Sequence, residues 1–277
     1  MRALAQYAMK GRRQAVLAIL ICGLLPLFNM LSPALLGLVL LRHGYRETML
    51  VTAWAILPLV GWAIAGDVSP LLLAAGVLAL ATVLRRTVSW QYTLLAAVLV
   101  GGLTEMVLRL WPQLVSLQLQ QLEAFMAAGG FDTQPELTLE ALQDAVMRLF
   151  GMMSMFMSII LLMLARWWQA LLYNPGGFQQ EFHQLKLQPS IALLLLGLLL
   201  LASFGSTVLS GWILYLWVPL FFAGLALVHG LIGLKKLSRL WLVAFYVLLL
   251  SPMMTQLLAV AAVIDSWYDF RSRIKAA

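Results

Sequence analysis

Apolar runs close to membrane length follow one another along the chain, broken by short basic clusters and by proline, glycine and asparagine. They cover residues 14–28, 30–41, 47–65, 70–84, 88–112, 145–172, 190–208, 211–234 and 238–264. A helix rises ~1.5 Å per residue, so ~20 apolar residues cross a hydrocarbon core of ~30 Å. Backbone groups in that core must bond within their own segment, which makes helices the default spanning element. The pattern predicts an all-α fold, a polytopic transmembrane helical bundle of about eight or nine spans. It forms a single integral membrane domain over residues 1–277, the basic start leading into a retained first span.

Residues 14–41 are long enough for one crossing, yet they contain Pro26, Asn29 and Pro33. A proline removes a backbone donor and clashes with the preceding turn, so this stretch is expected to break into an N-terminal hairpin of two short helices. Lys and Arg accumulate in cytoplasmic loops, and counting them separates the two readings. A broken hairpin places 13 basic residues inside and 5 outside, whereas one unbroken helix leaves 9 on each side. The N-terminus and the turn at 42–46 are therefore expected in the cytoplasm. The acidic stretch Glu123, Asp132, Glu136, Glu140 and Asp144 falls on the other side. Two short crossings cannot span a flat bilayer alone, so the Pro26–Pro33 corner is expected to pack against neighbouring helices.

Two polar interruptions stand out. Residues 113–144 form an extracytoplasmic amphipathic insertion, with Leu114, Leu117, Leu122, Phe125 and Met126 on one helical face. Gly129-Gly130, Asp132, Thr133 and Pro135 read as a turn, and Thr138 can cap a second helix running to Leu172. That helix would be about 50 Å long and project from the bilayer. The insertion reads either as an ordinary loop or as a lid over an outward-facing cavity.

Residues 174–189 form a cytoplasmic interfacial segment. Arg166, Trp167, Trp168 and Tyr173 make an interface belt, and Asn174-Pro175-Gly176-Gly177 is a turn. Phe178, Phe182 and Leu185 then share a face opposite Gln179, Glu181, His183 and Lys186. This predicts a short helix on the inner leaflet, either an anchor or a docking surface for a membrane or cytoplasmic protein.

Composition narrows the function classes. With 63% hydrophobic and 10% charged residues, the chain cannot clothe a soluble globule in polar surface. The net charge of +7 lies in short clusters between apolar runs, so it reads as a topology signal. The bilayer is the expected partner and nucleic acid is not. The lone Cys22 builds no disulfide framework, and His43, His183 and His229 have no metal-ligand spacing. Six methionines between Met147 and Met163 read as packing. No catalytic residue, metal site or cofactor is expected, and the chain is not read as an enzyme.

Glu105 is the most informative ionisable residue, because a carboxylate within a span is costly and Arg109 follows four residues later on the same face. Gly101 and Gly102 permit close helix approach nearby. The pair reads either as a structural bridge or, with Asn29, Trp54 and Trp62, as a ligand-binding site in an outward-facing pocket. His229 reads as a hydrogen bonder between helices, Ser251-Pro252 as a kink in the last span, and Asp67 and Asp265 as isolated.

The stretches NMLSPALLGLVLLRHGYRETMLV and ARWWQALLYNPGGFQQEFHQLKL resemble the YybS-like family of membrane proteins of unknown function, over most of the chain. The resemblance implies a bacterial inner (cytoplasmic) membrane location. It extends distantly to the substrate-binding subunits of energy-coupling-factor transporters, whose basic-glycine turn is similar to residues 42–46, and to the rod-shape protein MreD. The first likeness implies a solute-binding or transport-related subunit. The second implies the alternative, a non-transporting scaffold in cell-envelope assembly. An enzyme acting on lipid-linked substrates through Glu105 or His183 would need a second catalytic group, which the sequence does not supply.

Overall fold

Long apolar stretches with few breakers leave the backbone one way to satisfy itself, and every regular element among the described residues is helical. The computed structural model describes residues 2–128, 139–204, 207–238 and 240–276. Its helices are α1 (Arg2–Ala8), α2 (Arg12–Leu24), α3 (Leu31–His43), α4 (Tyr45–Ile64), α5 (Ser69–Thr87), α6 (Trp90–Leu110), α7 (Ser116–Ala128) and α8 (Leu139–Tyr173). They continue as α9 (Gly177–Gln184), α10 (Pro189–Phe204), α11 (Thr207–Ser210), α12 (Ile213–Leu234), α13 (Leu240–Leu248), α14 (Pro252–Tyr268) and α15 (Phe270–Ala276). A single 3-10 turn, Pro112–Val115, leads into α7.

Among the described residues, α4, α5, α6, α8 and α12 are each long and apolar enough to cross a membrane. The bent pairs α9–α10 and α13–α14 raise that number from 5 to 7 if each is one span. This is the architecture of a multi-pass helical membrane protein. The helix expected up to Leu172 is α8, 35 residues long. The turn expected over 129–137, with Asp132 and Glu136, lies outside the described residues, as does the Thr138 cap.

Packing divides the chain into two compact units, a division that hydropathy does not mark. The first comprises Met1–Val88 and Leu99–Tyr173, the second Ser89–Val98 and Asn174–Ala277.

At the centre of the first unit is α3, buried without interruption from Ser32 to Leu41 and packed on α2, α4, α5 and α8. A helix apolar on every side belongs inside, and this one is wrapped by longer helices. Gly37 allows the approach of α5, since a Cβ there would lie 2.8 Å from Val77 Cγ1. At the far end of α3, Gly44 takes φ +82°, open to glycine, and turns the chain directly into α4. The last carbonyls of α3 are met by side chains. Arg85 Nη1 donates to Leu40 O at 3.0 Å and to Leu41 O at 2.7 Å, and Gln169 Nε2 donates to Leu41 O at 3.3 Å.

The corner between α2 and α3 is less covered than expected. Asn29 is buried, but Leu27 is 90% exposed and Pro26 and Phe28 are exposed too. The turn closes on itself, with Phe28 N donating to Leu25 O at 3.0 Å and Leu31 N to Phe28 O at 2.8 Å. Its backbone therefore needs little help from neighbouring helices.

In the second unit α12 takes the central place, packed on α9, α10, α14 and α15. A Cβ at Gly224 would lie 2.6 Å from Leu258 O of α14, so that crossing requires glycine. The last apolar segment, expected as one kinked span, is instead two helices bent by 112°. Ser251 is extended and Pro252 starts α14, so the α13 ladder cannot continue through them.

Arg85→Met should remove two of the bonds at the end of α3 and lower unfolding stability in detergent by about 1 kcal/mol, since Gly44 N and Gln169 Nε2 still donate to those carbonyls. Thermal unfolding followed by circular dichroism checks this; an unchanged midpoint would show that the cap contributes nothing.

Candidate functional site

The sequence pointed first to Glu105. In the structure Arg109 Nε and Nη2 donate to Glu105 Oε1 at 2.9 and 2.6 Å. The chain of charges continues to α8, where Arg109 Nη1 lies 2.5 Å from Asp144 Oδ1 and Arg148 Nη2 lies 2.7 Å from Asp144 Oδ2. Four alternating charges thus rivet α6 to α8. Asp144 and Arg148, four apart on one helix face, were the signal in the sequence for the second half of this network.

The other residues expected around Glu105 have separate occupations. Trp62 Nε1 donates to Gly23 O at 2.7 Å and so caps the end of α2. Asn29 closes the corner turn through its carbonyl, and Trp54 is 56% exposed on α4. None of them, nor Glu105 or Arg109, lines the cavities described below. In the insertion, the buried apolar face carries Val115 and Leu119, packed with Val68, Leu108 and Met147, while Leu117 is 43% exposed. Met147 and Met155 of the methionine-rich run are buried in the first unit, a packing role, while Met153 and Met157 line a small apolar cavity of 130 Å³ with Met30.

The expected interface belt is divided. Arg166 donates to Gln169 on its own helix, Trp167 is partly exposed, and Tyr173 lies under Arg42, whose guanidinium carbon is 3.9 Å from the ring centroid. Trp168 departs from the expectation: it is fully buried, because its position on α8 faces inward.

The turn that follows forms as expected. Gly177 N donates to Asn174 O at 2.9 Å beyond Pro175, and Gly176 takes φ +85°. It launches α9, and α9 begins the polar centre of the second unit. Phe178 and Phe182 stack at 6.0 Å; Trp90 meets Phe178 edge-on at 6.1 Å, and Phe182 meets His229 of α12 at 5.5 Å. Gly230 and Gly233 of α12 make room for the end of α9, since added Cβ atoms would lie 2.9 Å from His183 O and 2.8 Å from His183 Cε1. His183 and His229 rings are 6.3 Å apart. His229 Nε2 and the Tyr246 hydroxyl share a hydrogen bond of 2.8 Å, which ties α13 to α12. Apart from contacts of this kind α13 is loosely held, with no buried residue.

Two adjoining cavities surround His183. The larger, about 790 Å³, lies against α9, α12 and α13 and is walled by Leu242, Val243, Val247 and Leu250, with His183, His229, Tyr246 and Lys236 on its polar side. The second, about 560 Å³, shares Gln179, His183 and Gly233 with the first and adds Lys186, Arg271 and Ser272.

Arg271 is not a loose surface cation. Its Nη1 donates to His183 O at 2.7 Å and its Nη2 to Asp265 Oδ2 at 3.1 Å. Asp265, expected to be isolated, is therefore the buried partner of an arginine six residues on. Burial pushes the Arg271 guanidinium below its ordinary range, against the opposing pull of Asp265 and Asp269. Burial would raise Asp269, but Lys186 at 3.1 Å and the Ser272 N–H outweigh it and hold the carboxyl below its usual range.

Tyr246→Phe should remove the tie between α12 and α13 and cost about 1 kcal/mol of stability. Hydrogen exchange across residues 240–248 is expected to rise with no change in α3; equal protection in both proteins would refute the tie. Comparison of the chain with protein-family models, with curated proteins and with solved structures finds no match.

Proposed function

We propose that this protein is a ligand-binding, transport-related protein of a bacterial inner membrane, with its site in the larger cavity against α9, α12 and α13. The observation that carries the reading is the cavity itself: at about 790 Å³ it is of small-molecule size, mostly apolar, with a few convergent polar groups. The Glu105 carboxylate, bound by Arg109, is by contrast part of a structural bridge. In this reading the basic turns lie in the cytoplasm with the N-terminus. Helices α2 and α3 form the broken hairpin, residues 113–144 are extracytoplasmic, and the count approaches eight or nine crossings. The cavity then opens beside the cytoplasmic turn that carries Lys235 and Lys236, not toward the outside.

The scaffold reading is favoured by one observation, the exposed apolar face of α13, where Leu240, Trp241 and Leu248 are 75%, 60% and 53% exposed. A photoreactive residue at 243 separates the two: it should capture a small molecule if the cavity is a site, and a specific protein if α13 is a docking face.

Val243→Trp should fill the cavity from a wall that is already 60% exposed and leave the fold intact. Native mass spectrometry of protein in lipid nanodiscs should show a bound small molecule on the wild type and its loss in the variant at an unchanged melting point. A wild type with nothing bound beyond bulk lipid would overturn the reading. For topology, cysteines placed at 43 and 46 in a Cys22→Ser background should resist an impermeant thiol reagent in intact cells, and cysteines at 125–135 should react. The reverse pattern would invert the orientation.

A further inference from the structure

We infer that the ligand of the cavity is an anionic amphiphile, an acidic head on an alkyl chain, held with its head between His183, Lys236 and Arg271 and its chain along α13. This rests on the cavity being the ligand site.

The two cavities form one polar-to-apolar series, because Gln179, His183 and Gly233 line both. On one side the walls are aliphatic, from Leu242 to Leu250. A soluble anion would leave that surface uncovered. On the other side three cations, Lys236, Lys186 and Arg271, are set against one lining carboxylate, Asp269. Lys186 is paired with that carboxylate, at 3.1 Å, and Arg271 with Asp265. Lys236 has no carboxylate partner among the described residues. Its backbone is at φ +51°, a conformation rare outside glycine, which holds this lysine at the end of α12.

Gln179 and Gln180 add neutral donors nearby. An unpaired ammonium beside a low-dielectric wall favours an anion over a neutral head. Chain entry needs a wall that can yield, and α13 supplies it, because none of its residues is buried.

The test uses the full chain in phosphatidylcholine nanodiscs and dodecyl phosphate bearing a diazirine at the chain end. Labelling should saturate and map to 240–250. Excess unlabelled dodecyl phosphate should compete and inorganic phosphate should not. Lys236→Gln should weaken the apparent affinity about tenfold, the loss of roughly one charge-assisted contact, and Val243→Trp should abolish labelling. Competition by phosphatidylglycerol would identify the source as a bilayer lipid; competition only by single-chain acids would identify a free amphiphile.

Equal labelling by a dodecyl glucoside probe, unaffected by Lys236→Gln, would overturn the anionic head and leave the cavity reading standing. Full competition by inorganic phosphate would overturn the chain. No saturable labelling by either probe, alongside a native-spectrometry ligand sensitive to Val243→Trp, would sink this inference alone. The same blank result with no such ligand would sink the cavity reading as well.

Discussion

A helix of 13 residues cannot cross a hydrocarbon core, and α3 is such a helix. Its apolar surface, buried from Ser32 to Leu41, is covered by neighbouring helices instead of by lipid. The first unit is organised around that constraint. Four helices wrap α3, and its final carbonyls are met by Arg85 and Gln169 from two of them. Arg85 is exposed at the end of α5, and its guanidinium does for the last carbonyls of α3 what water would otherwise do. Trp62 performs the same service for α2 by donating to Gly23 O.

Close approach governs the second unit. With lipid outside as apolar as the side chains within, burying hydrophobic surface gives helices little reason to associate, and contact has to come from small residues and polar ties. Gly224 brings α12 onto α14, and Gly230 and Gly233 bring it onto the end of α9. Arg271 then fastens α15 to the carbonyl of His183 and to Asp265. One side of α12 is tightly packed as a result. The other faces α13, which makes few such contacts, and the space left beside it is the larger cavity.

Polar groups in this protein therefore divide by what they bind. Glu105, Arg109, Asp144 and Arg148 satisfy one another and join two helices. His183 and Lys236 line open volume instead, beside the bonded pair His229 and Tyr246. Charges that neutralise one another give stiffness, whereas polar groups lining a void leave valency for a ligand.

Much of the architecture was readable along the chain. Hydropathy alone located α4, α5, α6, α8 and α12 to within a few residues, because a membrane-length apolar run with no breaker has one secondary structure open to it. Pro26 and Pro33 marked the break between α2 and α3, and Asn174 to Gly177 marked the turn before α9, since these residues act through their own backbone. The face of Phe178 and Phe182 followed from helical spacing. Partnerships were not readable, because they join residues far apart in sequence. Arg85 to Leu41 spans 44 positions and Arg271 to His183 spans 88. Periodicity could pair Glu105 with Arg109 four residues on, but only three-dimensional packing brought Asp144 to them. Nor could it show His229 and Tyr246 walling a cavity, because a void belongs to no residue: it forms where helices set by other contacts fail to meet.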